Sequence, residues 1–184
     1  MSFLGIDQSL NATGVCVVSD DGTVQILRTV RHEVGGVSDI KLLNIRRSVI
    51  SAISGVRFAC LESYSYDSIH RAFDLGEVAG TVKVALLENS VQYLAVPPVT
   101  LKLFATGSTR ASKEDMVQRA REEGVALVDN DDNQADALFL ARIAQVYTLG
   151  GSRRRCELEA LHGLRSPSKK KTPRRVRRLV KNAV

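Results

Sequence analysis

No stretch of this chain is apolar for long enough to cross a membrane, since no run approaches the roughly 18 residues that a spanning helix needs. The N-terminus lacks both a charged start and a small-residue cleavage site, so no secretory leader is expected. Tryptophan is absent, and cysteine occurs only as Cys16, Cys60 and Cys156. The three lie far apart and lack zinc-site spacing. Cys16 and Cys60 sit inside apolar runs, as buried free thiols do in a reducing, cytoplasm-like setting. Histidine is scarce too: His32, His70 and His162 are scattered, and no His/Asp/Ser set for nucleophilic catalysis gathers around them. Internal repeats are missing as well.

What remains is a chain of 184 residues, a length that suits one domain with a sizeable core. Its net charge of +6 is unevenly spread. Residues 151–184 hold 12 Lys/Arg against 2 Glu, a net of +10, whereas residues 1–150 are net −4. A mildly acidic body with a basic tail is the pattern of a protein that meets a polyanion, although a solubilising tail would carry the same charge. We therefore divide the chain at residue 150. The tail's Lys169, Lys170, Lys171, Arg174 and Arg175 are its candidate phosphate contacts, with salt-dependent and sequence-independent affinity.

Along the body, Phe3 to Asp7 reads as a buried strand that delivers a carboxylate at its end. Ala12 to Ser19 and Thr23 to Val30 follow as strands, joined by a tight turn at Asp20-Asp21-Gly22. A helical stripe of Ile40, Leu43, Ile45, Val49, Ile50 and Ile53 occupies about residues 38–54. Val56 to Leu61 suits a buried parallel strand, and it delivers Glu62. A helix is predicted from about Ile69 to Glu88. Its Gly76 and Gly80, four residues apart, cost roughly 1 kcal/mol each against alanine, which close packing by a neighbour would explain. Val91 to Val96 is a fifth strand. Helices follow near 99–105 and 112–123, and a last long one runs from the Asp129–Gln134 stretch to about Thr148. Asp131 and Gln134 are spaced as a capping box. A weaker helical stretch covers about 155–163.

Asp7, Glu62 and Asp136 fall at the ends of different elements that a sheet and one helix could bring together. Gathered carboxylates repel and raise one another's pKa, so a cluster of them calls for a cation. Oxygen-only ligands favour Mg²⁺ or Mn²⁺. Two such ions roughly 3.5–4 Å apart suit in-line phosphodiester cleavage.

The element order β-β-β-α-β-α-β-α-α is that of a ribonuclease H-like domain, an α/β fold with a five-stranded mixed sheet, three antiparallel strands then parallel ones, flanked by helices. Within it the chain resembles RuvC-type Holliday junction resolvases, the phage members more than the bacterial ones. The residues that carry the resemblance are Leu4-Gly5-Ile6-Asp7-Gln8-Ser9 with Thr13-Gly14, then Leu61-Glu62, Asp67-Ser68 and Leu75-Gly76-Glu77-Val78-Ala79-Gly80. Lys102, Gly107, Ala111-Ser112-Lys113 and Asn133-Gln134-Ala135-Asp136-Ala137-Leu138 continue it in order over about residues 3–147. The resemblance implies a metal-dependent nuclease for branched DNA, four-way junctions first, working as a homodimer with two ions per site in the cytoplasm. Its acidic positions fall on Asp7, Glu62, Asn133 and Asp136. The family carries Asp or His where this chain has neutral Asn133, so either Asn133 or Asp132 fills that place. Lys102 and Lys113 match lysines that contact the junction backbone, and Lys113 also approaches the scissile phosphate. Tyr64 and Tyr66 lie where the family places a base-stacking aromatic, and Arg110 is a further phosphate contact. Two other readings share these residues. Gly5-Ile6-Asp7-Gln8-Ser9 with Thr13-Gly14 also resembles the first phosphate motif of sugar kinases and actin-like ATPases, but no second glycine-rich nucleotide motif follows. A non-catalytic branched-DNA-binding relative is the other.

Overall fold

The computed structural model of the chain describes residues 1–31, 38–63, 72–152 and 154–165. Five strands, β1 (Ser2–Asp7), β2 (Ala12–Ser19), β3 (Val24–Arg31), β4 (Val56–Glu62) and β5 (Gln92–Val96), form one sheet in the order β3-β2-β1-β4-β5. β1, β2 and β3 pair antiparallel, while β4 runs parallel to both β1 and β5. The central β1 is buried along its whole length, which its unbroken apolar run requires. At the Asp20-Asp21-Gly22 turn, Gly22 takes a positive φ of 90° and Asp21 Oδ1 accepts the Thr23 N–H at 2.9 Å. That is the ordinary chemistry of a tight turn.

Side chains alternate across the sheet, and each face has its own core. Leu4, Ile6, Val15, Val17, Ala59 and Leu61 pack under α1 (Ser38–Ala52) and α2 (Ala72–Glu88). Phe3, Cys16, Val18 and Cys60 pack under α3 (Pro98–Thr106), α4 (Lys113–Glu122), α5 (Asp132–Leu149) and α6 (Arg155–Arg165). Burying each such Leu, Ile or Phe contributes roughly 1.5–3 kcal/mol, so this layered core is what fixes the site above it. The weak stretch near 155–163 is a docked helix. Arg154, just before it, donates to the carbonyls of Phe104 and Ala105 at 3.0 and 2.8 Å, closing the C-terminal end of α3. Among the described residues no helix is long and apolar enough to span a membrane.

Three local expectations are corrected. On α1, Ile40 and Leu43 are exposed, and the buried stripe is Ile45, Val49, Ala52 and Ile53. Lys41 extends it instead: its stem lies along the apolar face and its ammonium donates to Asn11 Oδ1 at 3.2 Å. On α2 the buried positions are Val78, Ala79, Val82, Ala85 and Leu86, and nothing among the described residues lies within 4 Å of a Cβ built on Gly76 or Gly80. Close packing within the chain does not explain those two glycines. At α5, Asp131 is the N-cap, but Gln134 does not complete a capping box. Its Oε1 accepts from Val128 N at 3.2 Å, because the Asp131 N–H is already given to the Val128 carbonyl.

Candidate active site

Strand alternation puts Asp7 on the face of Phe3 and Gly5, and Glu62 on the face of Cys60. Both lie just beyond the last paired positions, Ile6 and Leu61, on neighbouring parallel strands. The face is the one covered by α5. Gly5 is what lets α5 come close. A Cβ there would stand 2.0 Å from the Ala137 carbonyl oxygen and 2.3 Å from the Ala141 nitrogen. Gly14, the cross-strand partner of Asp7, has the Asn133 carbonyl oxygen 2.1 Å from where its Cβ would be. Two side-chain-free positions on β1 and β2 therefore seat the first turns of α5 directly on the sheet, with Asp132 and Asp136 beside Asp7.

The electrostatics record the gathering. Burial first, then the charges of Glu62, Asp136 and Asp132, push the Asp7 carboxyl well above the usual carboxylate range. Asp7 in its protonated form donates a hydrogen bond to Glu62. Glu62 is itself raised by burial, opposed by that bond and by Lys102 and Lys113. Burial together with Glu62 and Asp132 lifts Asp136 to about 7, against the pull of Lys113 and Lys102.

A carboxyl raised in this way destabilises the folded chain when it ionises. The stability it lends is complete below its ordinary 3.8 and is lost as pH rises through about 7. At pH 8 without divalent ions the loss is roughly 2–4 kcal/mol. Asp136→Asn removes it, so that variant should melt about 5–10 °C above wild type at pH 8 in chelator, with the gap closing toward pH 4. A calorimetric scan showing no gap at pH 8 would contradict the cluster.

Around the acids stand two lysines. Lys102 lies on α3, half-buried, within electrostatic reach of Glu62 and Asp136. Lys113 is the first residue of α4, set there by a capping box: Ser112 Oγ accepts the Asp115 N–H at 3.1 Å and Asp115 Oδ2 accepts the Ser112 N–H at 2.8 Å. Its ammonium is bonded to Asp132 and is raised chiefly by that bond. Asn133, the alternative at this place, turns the other way. Its Nδ2 and its backbone N–H both donate to Asp131 Oδ1 at 2.9 Å, while Asp131 Oδ2 accepts from Arg31 at 2.7 Å. So the structure brings together Asp7, Glu62, Asp132, Asp136, Lys102 and Lys113, and ties the Asn133 Nδ2 to the capping residue Asp131. Arg110 stands exposed in the loop between α3 and α4, its backbone N–H bonded to Ser108 Oγ at 3.2 Å. Tyr64, Tyr66, Lys169, Lys170, Lys171, Arg174 and Arg175 lie outside the described residues.

Gln8 is a further residue of the site, which its place in the sequence motif alone gives no role. It is buried, its Nε2 donates to the Glu62 carbonyl at 2.7 Å, and its Oε1 has no partner among the described residues. The signal was a polar residue immediately after the acid of a buried strand, where the chain could have turned outward. By bonding the backbone of Glu62 it ties the ends of β1 and β4 together.

Among the described residues no group of three or more His, Cys, Asp or Glu side chains is arranged to hold a metal ion as it stands. The donor set nonetheless fits a hard cation: Asp7, Glu62 and Asp136 offer oxygen only, and their mutual repulsion is what a divalent ion would relieve.

No family model matches the chain. It is 26% identical over 148 residues to the crossover junction endodeoxyribonuclease RuvC of Parasynechococcus marenigrum (strain WH8102), a match that covers 77% of this chain and 96% of that protein. The solved structure of Thermus thermophilus RuvC superposes with a TM-score of 0.65 at 23% identity, over 77% of this chain and 91% of that one. T. thermophilus RuvC in complex with a Holliday junction substrate gives 0.67 at 23% identity, over 77% and 90%. The chain shares the fold of these RuvC structures and is similar in sequence to a RuvC.

Proposed function

We propose that this protein is a metal-dependent, structure-selective endonuclease that cleaves phosphodiester bonds in branched DNA, with four-way junctions as its leading substrate. One observation carries the reading: buried Asp7 and half-buried Glu62 and Asp136, from three separate elements, crowd together at the start of α5, rimmed by Lys102 and Lys113. These three carboxylates would hold Mg²⁺ or Mn²⁺, two ions per site by the family's pattern. Bound there, such ions would supply an activated water and charge stabilisation for the leaving oxygen of in-line cleavage. The chain's own residues do the rest. Asp7, central to the cluster, would have to lose its proton to solvent for all three carboxylates to face a cation. Gln8 holds Glu62 against β1, and Lys102 and Lys113 draw the DNA backbone down to the acids. The basic residues 169–175 supply further phosphate contacts of a kind that weakens with salt.

The test is cleavage of a synthetic four-way junction in Mg²⁺ beside a Y-fork and a linear duplex. Symmetric paired nicks confined to the junction are expected, and a chain ending at Arg165 should bind the junction more weakly at low salt. Equal cutting of linear duplex would turn the reading into a general nuclease, and binding without cutting would end it.

The two active sites needed for paired nicks belong to a homodimer, and α2 offers the face for one. Phe73, Val84 and Leu87 are 88%, 50% and 63% exposed, and they lie with Gly76 and Gly80 on a single helical stripe. An apolar stripe of this kind on a soluble chain marks a contact surface, and two bare glycines allow a second helix to approach it closely. A two-fold pairing of α2 with its copy would cover it. Wild type should sediment at about twice the 20.1 kDa of the chain, and Leu87→Glu should sediment as monomer. A monomeric wild type at micromolar concentration would rule out this face.

A further inference from the structure

The fourth acid of the cluster is placed differently from the other three. Asp132 is the first residue of α5, Lys113 the first of α4, and the two helix starts face each other across the bond between their side chains. The Asp132 carboxylate is thus occupied by an ammonium, whereas Asp7, Glu62 and Asp136 oppose one another. The Lys113 side chain remains 74% exposed, on the wall of an open groove that Gln118, Arg121, Asn130 and Asp132 also line. An ammonium has three donors, so one spent on Asp132 leaves two for an incoming oxygen. A lysine stem alone would sweep a wide volume at a rotamer cost of up to roughly 2 kcal/mol, and a fixed carboxylate at its tip removes most of that search.

We propose that Asp132 is a positioning residue: it holds the Lys113 ammonium at the rim of the acid cluster, ready for a DNA phosphate, and does not itself ligate the ion. The site then works with three carboxylates and one lysine–carboxylate pair. Next to this pair, Asn133 gives its Nδ2 to the capping residue Asp131. This rests on the ion-binding reading of Asp7, Glu62 and Asp136 given above.

The experiment has two arms. The first measures Mn²⁺ binding to the DNA-free full chain by electron paramagnetic resonance. Lys113→Met with Asp132→Asn removes one charge of each sign, so local net charge is kept. That double variant should bind Mn²⁺ within about threefold of wild type, and Asp136→Asn should bind about tenfold or more weakly. The second arm measures single-turnover cleavage of a four-way junction. Each single variant should be slowed about 10–100-fold, the double no more than Lys113→Met alone, and Asp132→Glu should recover part of the rate. A tenfold loss of Mn²⁺ binding in the double variant would make Asp132 a ligand and overturn the proposal. So would multiplicative losses of rate, or an unchanged rate with a lowered melting temperature, which is the mark of a purely structural ion pair. Full Mn²⁺ binding by Asp136→Asn would overturn the ion site itself, a result distinct from either.

Discussion

Asp7→Asn should abolish junction cleavage in Mg²⁺, by about 10³-fold or more, while leaving the chain folded and able to bind the junction. The residue ends the central strand, and its carboxyl feels all three of the other acids, so no neighbour can take its place. Asparagine suits the test because it copies the protonated form of Asp7. Its amide can still donate to Glu62, as the Asp7 carboxyl does. The cross-strand contact with Gly14 and the close seat of α5 are unaffected. What is lost is one negative charge, and with it the site's hold on a divalent cation. Thermal melting separates this from damage to the fold. With chelator at pH 8, where Asp7 is held raised by burial and by like charges, the variant should be at least as stable as wild type. Cleavage within tenfold of wild type would remove Asp7 from the chemistry, whatever its place in the fold.

The strand that presents Asp7 was readable because a buried strand must be apolar on both faces. Phe3 to Ile6 is an uninterrupted apolar run that ends in an acid, and β1 is buried throughout. The parallel strand to Glu62 followed for the same reason. Harder to read was the start of α5, where Asp131, Asp132 and Asn133 offer three oxygen acceptors in a row. Any of them can cap a helix, and local pattern does not rank them. The choice is made from outside the segment. Arg31, a hundred residues earlier on β3, takes Asp131 for the cap. Lys113, on the neighbouring helix, takes Asp132. Only the assembled fold supplies both partners.

Glycine gives the same lesson twice, with opposite outcomes. Gly76 and Gly80 invited an explanation by close packing because a helix interior tolerates glycine poorly, yet their surroundings within the described chain are open. Gly5 and Gly14 stood inside strands, quoted as parts of a motif, and it is these that have a backbone against them. The hydrophobic pattern cannot report such an approach, because the atom that would reveal it is the one glycine lacks.

Gly5→Ala is therefore expected to damage this protein more than any other single methyl group added to it. The new Cβ would fall 2.0 Å from the Ala137 carbonyl oxygen, 2.3 Å from the Ala141 nitrogen and 2.9 Å from the Leu140 carbonyl carbon. All three belong to the backbone of α5, so no side-chain rotation relieves them. Either β1 gives way, which disturbs the pairing of both β2 and β4, or α5 lifts from the sheet. The lifting of α5 opens the core that Phe3 and Cys16 share with the buried Leu138, Leu140 and Ala141. Overpacking of this kind costs about 3 kcal/mol or more, which for a chain of this size lowers the melting temperature by roughly 6–12 °C. The loss of activity should exceed what instability accounts for, because the lifted helix carries Asp132 and Asp136 away from Asp7 and Glu62. At a temperature where the variant is still folded, junction cleavage should fall at least about 10²-fold, as a displacement near 1 Å does at a preorganised site. Gly163→Ala is the matched control. It lies within α6 with nothing near its Cβ, and should be neutral or stabilising by up to about 1 kcal/mol. If Gly5→Ala melted alongside that control and cut junctions at the wild-type rate, α5 would not be seated on β1, and the meeting of the four acids would lose its structural basis.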